Sequence, residues 1–342
     1  MSGFRRLVSP LIGLALAVVL TGCWNPLGDK DVIAFLLPDD VSTRWEHVDR
    51  PAFAAAVEAN CMGCEVVFYN AGADEATQLE QLKQAKSDGA DVIVLAAVST
   101  DAGQALIKEA GELPVLAYDR FVAGADYYVS FDGAVAGKLQ AEALVAAAGK
   151  SPEILMLNGA FDDPNSAELK KAATQVFTDN RVKVLGEGDP ADWHADTAKL
   201  WVTGQFDLLG DKHIDAVYAA NDTQAEGVLE AFREAHRPIP VITGMDGELP
   251  ALQRIVSGTQ IMTVYKSVPD QATQAAKIAV ALLAGRPVRG TTDHDGVPSV
   301  IFQPVAVTLT NLTNTVVRDG VYDIDEICTA ALAKRCRALG FL

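Results

Sequence analysis

Apolar residues fall in short dense runs, each followed by an Ala-rich segment with apolar positions at helical spacing. The runs are "DVIAFLLP" (31–38), "CEVVFY" (64–69), "DVIVLAA" (91–97) and "PVLAYD" (114–119). After a pause come "EILMLN" (153–158), "RVKVLGE" (181–187), "IDAVYAA" (214–220) and "IPVITGMD" (239–246). Between them lie segments such as "ATQLEQLKQAKSDG" (76–89), "AVAGKLQAEALVAAAG" (134–149) and "DTQAEGVLEAFREA" (222–235), the last with Asp222 as a candidate N-cap. Near-continuous Val/Ile/Leu strands are buried on both faces, which predicts parallel sheets flanked by helices, an α/β fold. The beat breaks at "FVAGADYYVSFDG" (121–133), which is read as a crossover between two similar lobes. A further strand (259–267), helix (271–285) and strand (299–309) suggest that the chain recrosses between them.

The N-terminus stands apart from this pattern. Arg5 and Arg6 precede the apolar "LIGLALAVVL", and Leu20-Thr21-Gly22-Cys23 comes next. This has the regions of a secretory signal, and "LTGC" is similar to a bacterial lipobox. Residues 1–22 are therefore expected to be removed and Cys23 to be lipidated. Loss of Arg5 and Arg6, with no acid, moves the net charge from −17 to −19. Such a surface repels nucleic acid, and no basic stripe offsets it.

Four further cysteines belong to an exported, oxidised chain, where disulfides are the default. Cys61 and Cys64 form a CxxC whose setting suits a structural bridge better than a redox centre or zinc. Cys328 and Cys336 are eight residues apart, about 12 Å along one straight helix. If they pair, the helix must break between them.

Open parallel sheets bind ligands at the carboxyl ends of their strands. Arg44 and Trp45 follow the first run, together with Asp39 and Asp40; Asp119 and Arg120 end the fourth, with Phe121 next. Asp163 and Asn165 follow the fifth, Trp193 and His194 the sixth, Asn221 and Asp222 the seventh. Asp246 ends the eighth and Lys266 the crossing strand. Acceptors, donors and flat rings without a surplus of base suit a neutral sugar. Its hydroxyls both donate and accept, and its C–H face lies on an aromatic ring such as Trp45, Phe121 or Trp193. Taken singly, each residue has a plainer reading: a surface ion pair, a helix cap, a packed indole.

The stretches "DDVSTRW", "VLAYDRF", "DYYVSFDGAVAGKLQAEAL", "AANDTQAEG", "TGMDGELPALQRIVSGTQIMTVYK" and "VVRDGVY" resemble the bacterial xylose-binding proteins over about residues 31–322. The resemblance implies a type I periplasmic binding protein fold, in which two Rossmann-like lobes are joined by a three-segment hinge and close around one pentose. It implies an N-terminal lobe of residues 31–130 and 264–298 and a C-terminal lobe of 131–263 and 299–327, with 328–342 as a C-terminal extension. Carried over by position, the ligand shell is Arg44, Trp45, Asp119, Arg120, Asn165, Trp193, Asn221, Asp246 and Lys266. The family's "DNN" stands here as "DDPNSA", which leaves the roles of Asp163 and Asn165 open, and Asp39 and Asp40 are shifted from the pattern. The four extra cysteines depart from it too.

The expected function is a lipid-anchored, extracytoplasmic substrate-binding protein of an ABC sugar importer. It is expected to act as a monomer, to bind D-xylose or a related aldopentose and to deliver it to a membrane permease, with no metal, cofactor or catalysis. A sensor presenting sugar to a membrane receptor is one alternative. A sugar-processing enzyme is another, with Asp119 and Asp246 as a conceivable carboxylate pair; the chain's five histidines are scattered. A sugar-responsive transcription regulator would need a DNA-binding segment where the signal peptide stands.

Overall fold

The computed structural model describes residues 30–342; the expected signal peptide and Cys23 lie outside the described residues. The strands are β1 (Val32–Leu37), β2 (Glu65–Asn70), β3 (Val92–Leu95), β4 (Val115–Tyr118), β5 (Tyr127–Phe131), β6 (Glu153–Leu157) and β7 (Lys183–Gly188). Then come β8 (Ala216–Ala219), β9 (Val241–Ile242), β10 (Met262–Tyr265), β11 (Thr292–His294), β12 (Val297–Phe302) and β13 (Val305–Thr308). The first sheet runs β11-β12-β5-β4-β3-β1-β2, parallel except for the β11–β12 hairpin. β3 and β4 are buried throughout. Helices Arg50–Asn60 and Val268–Leu283 cover one face of this sheet, and Glu75–Ser87 and Thr100–Ala110 the other.

The second sheet runs β7-β6-β8-β9, all parallel. Helices Ala195–Leu209 and Asp222–Glu234 pack on one face, Gly133–Ala148 and Pro164–Asp179 on the other. A bridge between Met245 and Val264 attaches the antiparallel β10–β13 pair at its edge. The two lobes of the α/β fold are thus present. The chain crosses between them after β5, after β10 and after β12.

Three expectations shift. Residues 121–133 are not crossover alone, because Tyr127–Phe131 pair with both β4 and β12 as a full strand of the first sheet. The run 299–309 is two strands, since Gln303-Pro304 interrupts it and Pro lacks an N–H for the ladder. Ser299–Phe302 therefore lie in the first sheet, pairing with β5, whereas 299–327 was expected in the second lobe.

Among the described residues two disulfides are present, Cys61–Cys64 and Cys328–Cys336, with Cα atoms 5.5 and 6.0 Å apart. The C-terminal helix does break, between Ile324–Ile327 and Ala333–Leu339. Residues beyond 327 are no loose appendage: Cys328 and Cys336 are buried against Leu252, Ile255, Val256, Val307 and Leu312.

Candidate functional site

The site begins where β1 and β4 end. Arg44 lies on the loop after β1, and its guanidinium is fixed from behind. Nε and Nη2 donate to Asp49 at 2.9 and 2.8 Å, and Tyr118 OH donates to the same carboxylate at 2.6 Å. Asp49 is fully buried; burial pushes its pKa up and Arg44 works against that rise. The remaining Arg44 nitrogen, Nη1, points to Asp119 at 2.9 Å.

Asp119 leaves β4 with φ of 65°, a left-handed conformation that Asp tolerates better than most residues. The turn it makes is held by Tyr128 and Ser130 hydroxyls, which donate to the Asp119 carbonyl. It sends the adjacent side chains apart. Asp119 meets Arg44 and Lys266, while Arg120 Nε meets Asp163 at 2.8 Å and Nη2 meets Asp39 at 3.4 Å. Arg120 also donates to the Ala97 and Val98 carbonyls. The two neighbours in sequence thus make their direct ion pairs with other residues, although each charge still acts on the other. The Arg120–Asp163 pair spans the two lobes.

From the second lobe, Asp163 caps the helix Pro164–Asp179 by accepting from Asn165 N, and its other oxygen accepts from Trp193 Nε1 at 3.3 Å. Trp193 lies so close to Gly159 that a Cβ there would sit 2.1 Å from the indole. Asn165 Nδ2 donates back across the cleft to the Asp119 carbonyl and carboxylate, at 3.2 and 3.3 Å. The cap of helix Asp222–Glu234 is Asn221, not Asp222: Asn221 Oδ1 accepts from Gln224 N. Asp222 is instead fully buried, bonded by Gln260, Thr263 and the Glu248 N–H.

Asp246 also has positive φ, 105°. Its carboxylate pairs with Lys266 at 2.8 Å and approaches Arg44 at 3.8 Å, while Lys266 lies 3.9 Å from Asp119. Arg44, Asp119, Lys266 and Asp246 thus close a ring of alternating charge, with every side chain at least nine-tenths buried. Burial raises the Asp119 pKa, but Arg44, Lys266 and Arg120 outweigh it and hold the group well below the usual carboxylate range. Asp163 is pushed up by burial despite Arg120. Asp119 Oδ2 and Asp246 Oδ1 are ion-paired at angles too poor for a hydrogen bond, so both retain acceptor capacity. A buried ion ring contributes little to stability, since desolvation offsets its attraction. Its use lies in presenting fixed donors and acceptors.

Arg44, Trp45, Asp119, Arg120, Asn165, Trp193, Asn221, Asp246 and Lys266 all line one cavity between the lobes, of ≈ 400 Å³ counting the space at its mouth. Asp39, Ser42, Asp163 and Met245 complete the lining. The Arg44 guanidinium stacks 4.5 Å over the Trp45 ring. Asp40 is exposed and His194 lines only a neighbouring cavity. Phe121 is not in the site: it packs on Tyr128 and His294. The supports Asp49 and Tyr118 escaped sequence reading, because a buried Tyr in a strand reads as core. The set can hold an uncharged polyol through hydrogen bonds; three bases face four acids in the lining, which disfavours an anion.

The periplasmic binding protein domain model matches residues 33–287. The D-xylose-binding periplasmic protein of Escherichia coli K12 is 34% identical, the match covering 87% of this chain and 93% of that one. The D-xylose-binding periplasmic protein of Haemophilus influenzae is 32% identical, covering 92% and 97%. A Clostridium phytofermentans ABC transporter solute binding protein with bound β-D-glucose superposes with a TM-score of 0.77 at 24% identity, covering 87% of this chain and 100% of that one.

Proposed function

We propose, from the premise that the chain belongs to the periplasmic binding protein family, that it takes up one neutral monosaccharide, D-xylose foremost, and hands it to an ABC permease. It is a sugar-binding protein of this extracytoplasmic family, not an enzyme. The observation that carries the finer reading is the ring of Arg44, Asp119, Lys266 and Asp246, drawn from both lobes and a crossing strand. Hydroxyls of a sugar meet fixed acceptors on Asp119 and Asp246 and fixed donors on Arg44, Arg120 and Lys266. Trp45 and Trp193 offer flat apolar faces to its C–H groups. Because these groups come from both sides of the cleft, the ligand favours the closed arrangement, and differential affinity for that state drives closure.

A thermal-shift screen tests this. A ligand that binds only the native state at a hundredfold excess over its Kd adds about 2.7 kcal/mol. D-Xylose is expected to raise the Tm, with ribose 5-phosphate and amino acids inert, because a site built for hydroxyls leaves its polar groups unpaired against other ligands. Stabilisation by an anion and by no free aldose defeats the reading.

Anchoring through a lipid on Cys23 belongs to the same proposal. Among the described residues no helix is long and apolar enough to cross a membrane. Cys23→Ala is expected to move the protein from the membrane fraction to the soluble one, as stable anchoring needs more than one acyl chain; an unmodified soluble wild type defeats it.

A further inference from the structure

A second acidic residue on the same turn as Asp246 also reaches across the cleft, and it does not line the cavity. Glu248 comes directly after Asp246-Gly247, at the start of helix Leu249–Ser257. Its Oε1 accepts from Ser42 Oγ at 2.7 Å and from Thr43 N at 3.2 Å, both on the loop after β1 in the first lobe. On its own lobe, Thr223 Oγ1 donates to the same carboxylate at 3.2 Å. The side chain is buried, 4% exposed, and among the described residues no cation pairs with it. The charged groups around it are Asp246 and Asp222, both acidic, and Arg254, whose guanidinium is bound to the Asp222 carbonyl and Gln260. Burial, and then the Asp246 charge, push Glu248 up to about 6.

Its arm is rigid. The Glu248 N–H donates to Asp222 Oδ2 at 3.0 Å, and that oxygen also receives Thr263 Oγ1 at 2.7 Å. Gln260 holds the other Asp222 oxygen at 2.8 Å. A buried carboxylate needs several donors. Two of the three here belong to the opposite lobe, so they are present only while the lobes are together; on separation, water replaces them. What Glu248 grips matters as well. Ser42 lines the cavity, and Arg44, the hub of the charge ring, is two residues further on.

We propose that Glu248 is a positioning residue for sugar binding: it clasps the Ser42–Thr43 turn as the lobes meet, setting Ser42 and Arg44 against the ligand without touching it. This rests on the sugar-binding reading above. The clasp strengthens closure itself, so it acts chiefly on how long a sugar stays.

The test is calorimetric titration and stopped-flow release of D-xylose with wild type, Glu248→Gln, Glu248→Ala, Ser42→Ala and the Ser42→Ala/Glu248→Ala double variant. Glu248→Ala is expected to weaken binding about tenfold, mostly through faster release. Glu248→Gln keeps an acceptor oxygen and recovers most of that loss. The Ser42 and Glu248 effects are expected to be non-additive by at least about threefold, the signature of a direct bond across the cleft. A role confined to starting the Leu249–Ser257 helix lowers the Tm and leaves the two effects additive. Wild-type affinity in Glu248→Ala, or additive losses in Ser42→Ala and Glu248→Ala, overturns the inference while leaving the sugar reading intact. A wild type that binds no sugar removes both.

Discussion

Asp119 offers the sharpest prediction, because its charge and its backbone can be separated. The carboxylate stands 2.9 Å from Arg44 and 3.9 Å from Lys266, and those charges hold it ionised. Asp119→Asn keeps the shape and the tolerance for φ of 65°, but removes the charge. A hydrogen bond to a charged group contributes about 1.5–3 kcal/mol against about 1 for a neutral one. The Asn variant is therefore expected to lose about 0.5–2 kcal/mol, or about 2–30-fold in Kd for D-xylose. Asp119→Ala loses, in addition, the side-chain bond from Asn165 at 3.3 Å and puts a Cβ with no local hydrogen bond into a left-handed turn. That turn costs about 1–2 kcal/mol, so sugar-free Ala protein melts about 1.5–3 °C below the Asn protein. Calorimetric titration and differential scanning calorimetry of the two variants read these effects separately. Wild-type Kd in Asp119→Asn would falsify the ligand role of the charge, and equal Tm values for the two variants would refute the backbone argument.

The other predictions concern the surroundings of the ring. Arg120→Lys abandons the fork that reaches Ala97, Val98, Asp39 and Asp163, and titration should show sugar binding at least about tenfold weaker. Gly159→Ala drives a methyl into Trp193; affinity should fall and Trp193→Phe in the same chain should restore part of it, whereas an unchanged Kd removes Trp193 from the site. Burial pushes Asp222 up to about 8 and Glu248 to about 6, so the folded protein holds these protons to higher pH than the unfolded chain does. Their contribution is complete below about pH 4 and is lost as pH rises through 6 and 8, so the Tm should fall between about pH 5 and 8.5 and Asp222→Asn should flatten the slope; a rising Tm contradicts it.

Much of this site was legible because open parallel sheets gather their functional side chains at strand ends. The residues just past each apolar run were enough to find positions as distant as Arg44 and Lys266. Who pairs with whom was not legible. Asp119 and Arg120 are neighbours in sequence, yet the positive φ of Asp119 turns them toward different partners. Asp163 and Asn221 show why strand-end Asp and Asn are ambiguous, since each caps a helix and lines the cavity at once. Asp49 hides inside a helical stretch, where a π-helical turn (Trp45–Asp49) runs into Arg50–Asn60, and only the folded chain brings Tyr118 to it. The Ser42–Glu248 contact joins residues 206 apart, with no local pattern at either end. In the fold, β5 was missed as a strand because it leads directly into the crossing, where a change of beat masks a short run.

The positive backbone angles at Asp119 and Asp246 also shape how a gene encoding this site drifts. Gly, Asn and Asp are the residues that such turns favour. In the genetic code, an Asp codon becomes an Asn or a Gly codon by a single base change. The steps nearest in mutational distance are thus among those the turns accept, while Ala, also a single base away, is resisted by the backbone. Descendants that move to another sugar would exchange carboxylate for amide here first. Changes at Arg44 or Lys266 would come later, because with Asp49 the cluster already holds three buried acids against two cations, and losing a cation widens that imbalance whereas losing a carboxylate closes it. The order of substitution in such a lineage is then written by two turns rather than by the sugar.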